Sequence, residues 1–129
     1  MDFLSSNSQI LMEKSMGYLW AKQAAILDNI ANAETPNYKA KVVTFEESIR
    51  TKLEEAASRS QGAGKAVREV LEDAELNLFE AKEQTRMDDN GVNVTAQMSE
   101  AIRNAYQMRY VMSSMNSELG VLNLAIRGQ

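Results

Sequence analysis

The stretch ILDNIANAETPNYKAK, residues 26–41, begins as part of an amphipathic helix and then breaks the pattern. Pro36, the only proline, disfavours a helical conformation for the residue before it. A helix that begins near Ser8 should therefore end at or before Ala33. Asn37 tolerates the positive φ of a tight turn, and residues 38–45 have extended character. The stretch predicts where the chain leaves a long N-terminal helix.

The asparagines of this stretch exceed what helix termination requires. Asn32 and Asn37 fit a helix end and a turn. Asn29 lies one turn earlier, and a side-chain amide both donates and accepts hydrogen bonds. Asn29 and Asn32 are three residues apart and share one helical face. We expect them to tie the helix end either to the extended segment or to a neighbouring chain.

The N-terminal helix carries an apolar stripe with alternating spacings of four and three residues. Gln23 is its one polar interruption, and Trp20 and Leu27 widen it on one side. Such spacing predicts one face that packs against another helix. The stripe consists of Met12, Met16, Leu19, Ile26 and Ile30.

The C-terminal segment shows a stricter heptad pattern over four heptads, which is typical of a coiled-coil seam. Asn93 or Thr95 can cap its start, the turn sequence DDNG precedes it at 88–91, and Gly128 follows its end. We call its apolar positions, together with the stripe above, the predicted seam. The apolar positions of the C-terminal segment are Met98, Ala101, Ala105, Met108, Met112, Met115, Leu119, Leu122 and Ile126.

The region between the two helices has a mixed composition. Residues 46–57 predict a short helix, and residues 58–65, SRSQGAGK, predict a flexible linker. Beyond the linker we expect a helical segment and then a short strand near 76–82. The chain thus divides into a terminal helical domain, residues 1–35 plus 92–129, and a variable insert, residues 36–91. The fold class is mainly α.

Composition argues against most enzyme classes. Histidine and cysteine are absent, which removes the commonest metal ligand, the commonest general base and any disulfide. The net charge of −4 comes without a basic stripe, so nucleic-acid binding has little electrostatic support. GAGK at 62–65 lacks the earlier glycine and the hydroxyl residue of a phosphate loop. The acidic residues near 72–83 lack the ligand order of a calcium loop. We therefore expect no enzyme activity, cofactor or metal.

Large apolar side chains flank the predicted seam on both helices. Each gains roughly 1.5–3 kcal/mol when fully buried, and one helical hairpin cannot bury them all. We expect neighbouring molecules to bury the apolar side chains that the terminal helices leave exposed. We also expect these helices to be weakly ordered in the free subunit. No cleavable signal or membrane-spanning run is visible, so any export follows another route. The flanking residues are Trp20, Leu27, Ile102, Tyr106, Tyr110 and Val111.

The segment NIANAETPNYKAK resembles the signature N-[IL]-A-N-x-x-T-P-G-Y of flagellar rod and hook axial proteins. Glu34 and Asn37 stand where the family usually has aspartate and glycine. The stretches YKAKVVTFEESI, NGVNVTAQMSE and LNLAIRG further resemble the proximal-rod branch, and the likeness covers residues 8–50 and 88–128. The matching residues are Asn29, Ile30, Ala31, Asn32, Thr35, Pro36 and Tyr38.

The resemblance implies a structural, non-enzymatic subunit of the bacterial flagellar basal-body rod, which transmits torque. Such subunits are exported by the flagellar type III apparatus without a cleavable signal and assemble in the cell envelope or periplasmic space. The implied partners are other rod subunits and further copies of the chain, with the FliE junction protein and the export gate at the rod base. It implies no nucleic acid and no membrane insertion. The alternatives are the neighbouring rod protein FlgC and a cytosolic helical adaptor or chaperone.

Two structural expectations follow from the resemblance and the heptads together. The terminal helices should form an antiparallel coiled-coil-like hairpin, with Leu19, Ile26 and Ile30 against the methionine-rich part of the predicted seam. The signature, extended to include Asn37, should form the hinge from which the chain leaves this helical layer.

Overall fold

A computed structural model describes residues 6–44, 46–58, 62–73, 77–80 and 92–128. It confirms a mainly helical chain with two long terminal helices that pack together. The short helix expected at 46–57 is also confirmed. The elements are α1 (Asn7–Ala31), β1 (Lys41–Thr44), α2 (Glu46–Ala57), α3 (Ala63–Glu72), β2 (Asn77–Glu80) and α4 (Val94–Arg127).

Local capping sets both ends of α1. The Ser6 side chain accepts a hydrogen bond from the backbone N–H of Gln9, and the Gln9 side chain accepts one from the Ser6 N–H. This reciprocal pair is a capping box. At the other end Asn32 is the C-cap, and its N–H donates to Asp28 O at 3.1 Å. The helix ends before Ala33, as the proline predicts.

The ends of α4 are equally local. Asn93 is the N-cap, and its side chain accepts from the Ala96 N–H at 3.1 Å. Of the two capping residues that the sequence allowed, the structure uses Asn93. Gly128 follows the last turn with φ 67°, the left-handed conformation that glycine adopts at little cost. The DDNG turn expected at 88–91 lies outside the described residues.

The insert corrects one expectation. Gly62, with φ 74°, caps α3, and its carbonyl accepts from the N–H groups of Lys65 and Ala66. Residues 63–65 of the expected linker are therefore the first turn of a helix that Gly62 caps, and residues 59–61 of that linker lie outside the described residues. Helices α2 and α3 pack together, with Ala56 and Leu71 buried.

The strand expected near 76–82 is confirmed as β2, which pairs with β1 in an antiparallel ladder. Lys41 lies opposite Glu80, and Thr44 lies opposite Asn77. The ladder places β1 against α1, where Val43 joins the buried cluster of Tyr18, Leu19 and Ala25. The insert is thereby attached to the N-terminal helix.

Helices α1 and α4 touch along most of α1. Asn29, near the end of α1, bonds Gln97 near the start of α4. Ser8, near the start of α1, donates to Glu118 far along α4. Among the described residues, no helix is long and apolar enough to cross a membrane.

Candidate assembly site

Asn29 is the hub of the α1 end. It is 2% exposed, and its amide nitrogen donates to Lys41 O at 2.9 Å and to Gln97 Oε1 at 3.1 Å. Its amide oxygen accepts from the Lys41 N–H at 2.7 Å and from the Tyr38 hydroxyl at 3.3 Å. The side chain thus ties α1 to the extended segment, one of the two roles expected for it, and also to α4.

An ion pair lies beside this hub. The Lys41 ammonium contacts Asp28 Oδ2, and the Tyr38 hydroxyl lies 3.4 Å from the same oxygen. The hydrogen bond from Lys41 is the main reason why the pKa of Asp28 lies below its ordinary value; partial burial opposes it, and the Lys41 charge and Tyr38 add to it. The charged carboxylate therefore favours the folded arrangement.

The remaining signature residues form a compact turn. The Asn32 amide donates to Asp28 O at 2.8 Å, and the Thr35 hydroxyl donates to Asn32 Oδ1 at 3.2 Å. The Tyr38 N–H donates to Thr35 O at 3.3 Å. Pro36 and Asn37 lie between them, and Asn37 has φ 58°. A proline followed by a residue with positive φ matches a type II turn, so the left-handed conformation expected of Asn37 is confirmed.

The turn returns the chain over the helix end. Ala33 and Ala40, on either side of it, are buried together with Val92, and Tyr38 and Val94 pack against them. Ile30 is half-buried, whereas Ala31 and Pro36 are exposed. The signature therefore joins three parts of the chain: the end of α1, the entry to β1 and the entry to α4.

The structure brings together only part of the predicted seam within one chain. On α1, Leu19 and Ile26 are buried, and Met12, Met16 and Ile30 are half-buried. On α4 one heptad series is half-buried; it comprises Ala101, Met108, Met115 and Leu122. The other series is exposed; it comprises Met98, Ala105, Met112, Leu119 and Ile126.

Two heptad series make up the face of α4 that lies toward α1. One is the half-buried apolar series just described, and the other was not part of the predicted seam. Gln97, Asn104, Val111 and Glu118 repeat every seven residues, and each is buried or half-buried. We call these positions, with Ala101, Met108, Met115 and Leu122, the pairing face. The heptad pattern did not select Gln97, Asn104 and Glu118 because they are polar, whereas the next residue at each heptad is apolar. Val111 was expected beside the predicted seam and not in it. The sequence held one signal for this polar series. Gln23 interrupts the apolar stripe of α1, and a buried amide needs a polar partner on the facing helix.

Twelve large apolar side chains are exposed on the described parts of the two helices. Met112 is 51% exposed, Met98 56%, Trp20 60% and Ile126 79%. Scattered apolar residues are normal on a surface, but a long series on two adjacent helices indicates an interaction site. We call these residues the outer surface: Leu11, Trp20, Leu27, Met98, Ile102, Tyr106, Tyr110, Met112, Leu119, Val121, Leu124 and Ile126.

The acidic residues near 72–83, which were considered for cation binding, lie only partly within the described residues. Glu72 and Asp73 are exposed, and no group of three potential ligands is placed to hold a metal among those residues. Glu75 and Glu83 lie outside them.

Comparison with known proteins gives a consistent result. No family model matches the chain. The flagellar basal body rod protein FlgB of Bacillus subtilis is 31% identical over 121 residues, 91% of each chain. That of Aquifex aeolicus is 30% identical over 124 residues, 92% of each chain. The FlgB of Aeromonas hydrophila is 30% identical over 117 residues, 84% of this chain and 85% of the relative.

These similarities span both terminal helices, the turn between α1 and β1, and the insert. Identity near 30% over nine-tenths of the length of both chains is not confined to a short shared motif. The chain belongs to the FlgB family of flagellar basal body rod proteins.

Proposed function

We propose that this chain is a structural, non-enzymatic subunit of the proximal rod that assembles through its terminal helices and transmits torque. The observation that carries the proposal is the outer surface. Each of its large side chains gains roughly 1.5–3 kcal/mol on full burial, and α1 and α4 leave these side chains exposed in the single chain. Other subunits and further copies of the chain are the natural source of the missing contacts.

The proposed rod unit is an antiparallel coiled-coil-like hairpin of α1 and α4. The reversed order of contacts supports it, since Asn29 bonds Gln97 whereas Ser8 bonds Glu118. In this proposal residues 1–35 and 92–129 form the rod core, and residues 36–91 form a variable insert. The signature turn is the hinge between them, which Asn29 holds in place.

Location and partners extend the same proposal. The subunit passes through the flagellar type III apparatus without a cleavable signal and assembles in the cell envelope or periplasmic space. At the rod base it contacts the FliE junction protein and the export gate. It needs no cofactor, nucleic acid or membrane insertion. The support is family membership together with the outer surface, which offers apolar contacts to partner helices.

The test uses one variant and a matched control. Met112→Asp places a charge in the outer surface, and Asn116→Asp places the same charge one turn away on an exposed polar position. An unpaired charge buried at an interface costs several kcal/mol. In a strain that lacks the native gene, the control should restore swimming and Met112→Asp should not.

Two outcomes would contradict the proposal. Normal swimming with Met112→Asp would show that the outer surface is not buried in the rod. Complete, rotating flagella in the deletion strain would show that the chain is not a rod subunit. Because Met112 is half exposed, circular dichroism of the purified variant should match the unaltered chain. That match would attribute the defect to assembly and not to folding.

A further inference from the structure

Gln23 and Asn104 lie opposite each other in the middle of the helix pair. Asn104 is 0% exposed. Its amide nitrogen donates to Gln23 Oε1 at 2.9 Å and to Leu19 O at 3.0 Å, and lies 3.7 Å from Met108 Sδ. Its amide oxygen has no hydrogen-bond partner within the described part of the chain. Burying this amide costs free energy that an apolar residue would not cost.

The apolar positions around this pair do not define one alignment of the helices. On α1, Met12, Leu19 and Ile26 repeat every seven residues, and Met16 and Ile30 flank Gln23 at the same interval. On α4, Ala101, Met108, Met115 and Leu122 also repeat every seven residues. A slip of one heptad, about 10.5 Å along the axis, would again place apolar residues opposite apolar residues.

A slip of that size removes the side-chain acceptor of the buried amide, whereas the backbone carbonyl of Met12 or Ile26 would take the place of Leu19 O. Asn104 would then face Met16 or Ile30 instead of Gln23, and neither side chain can accept its N–H groups as an amide oxygen does. A single buried asparagine fixes the register of other helix pairs in this way, at a cost in stability.

We propose that Asn104, through Gln23, is a positioning residue that selects one register of α1 against α4. The stabilisation comes from the apolar residues of the pairing face, and the selectivity comes from the amide pair. The consequence reaches the outer surface, because a slip would displace the exposed residues of α4 relative to those of α1. This inference concerns one chain and stands independently of rod assembly.

Cross-linking can read the register directly, since the chain has no cysteine. Lys22 and Glu100 form an ion pair at 3.1 Å. Lys22→Cys with Glu100→Cys therefore reports the observed register, and Ser15→Cys with Gln107→Cys reports it one heptad away. The crossed combinations, Lys22→Cys with Gln107→Cys and Ser15→Cys with Glu100→Cys, report a slip of seven residues in each direction.

The purified full chain is treated at low concentration with a short bismaleimide, and intramolecular products are quantified by mass spectrometry. With Asn104 present, the native pairs should exceed the crossed pairs by about tenfold or more, which corresponds to one lost buried hydrogen bond. With Asn104→Leu the ratio should fall to within about threefold. Asn104→Val, which repeats the residue found at 111, should behave likewise.

Two controls separate register from stability. Asn116→Leu makes the same kind of change on an exposed position and should leave the ratio unchanged. The exchanged pair Gln23→Asn with Asn104→Gln keeps two amides and should restore the ratio. An unchanged ratio in both apolar variants would overturn the proposal. So would loss of cross-linking at all four pairs, or an absent preference in the unaltered chain.

Discussion

Asn29 is the residue whose replacement should most damage the end of α1. In Asn29→Ala, four hydrogen bonds disappear. In the variant the Tyr38 hydroxyl can still donate to Asp28. The Gln97 side chain is half-buried, so water can replace its lost hydrogen bond. The N–H and C=O of Lys41 lose their Asn29 partner. Each such loss costs about 1–3 kcal/mol when fully buried, and Lys41 is half-buried, so the expected total is about 2–3 kcal/mol.

The assay is urea unfolding followed by far-ultraviolet circular dichroism, with thermal melting as a second measurement. For a chain of 129 residues, each kcal/mol corresponds to about 4 °C in Tm. Asn29→Ala should therefore melt about 8–12 °C lower. Asn29→Asp should lower it further, because its carboxylate replaces a donor with an acceptor opposite Lys41 O and Gln97 Oε1.

Asn32→Ala is the matched control. It removes the same side chain three residues later, but among the described residues the Asn32 amide bonds only Asp28 within α1 and the Thr35 hydroxyl. These contacts are local and partly exposed, so its loss should cost about 1 kcal/mol or less. Equal destabilisation by the two alanine variants would refute the role of Asn29 as the link between α1, the extended segment and α4.

Three further predictions concern the turn, the ion pair and the chain end. Asn37→Gly should be neutral or stabilising in urea unfolding, whereas Asn37→Val should cost about 1–2 kcal/mol, because φ is 58°. Asp28→Asn should destabilise the fold at neutral pH. The difference from the unaltered chain should begin to shrink as the pH falls through about 4, where the carboxyl of the unfolded chain takes up a proton, and should vanish only below the lowered pKa of Asp28 in the folded chain. By hydrogen exchange on the free subunit, amides of residues 119–127 should exchange faster than those of 97–111, because all but Leu122 are exposed there.

Each of these predictions has a contradicting result. Destabilisation by Asn37→Gly would mean that the turn depends on the asparagine side chain and not on its backbone conformation. A difference for Asp28→Asn that persists in acid would assign its effect to packing. Protection of residues 119–127 as strong as that of residues 97–111 would contradict the expectation that this end of α4 is weakly ordered in the free subunit.

Local chemistry made several features predictable from the sequence. Four of them depend on a few neighbouring residues only: the end of α1, the positive φ of Asn37, the cap at Asn93 and the glycine after α4. The short helix at 46–57 and the strand at 77–80 also followed from local pattern. The start of α3 did not, because glycine signals both a linker and a helix start, and only packing of Ala66 and Leu71 selects the second.

The sequence by itself determined two long terminal helices, the turn that ends the first, and an apolar excess that needs partners. Only the tertiary structure decided which face of α4 meets α1. A heptad pattern depends on apolar residues alone, and it predicted that Met98, Ala105 and Met112 would face α1. The structure instead buries Asn104, because Gln23 and Leu19 O, distant in sequence, accept hydrogen bonds from its amide nitrogen. The cost of a buried polar group depends on its partner, and that partner is known only after the chain has folded.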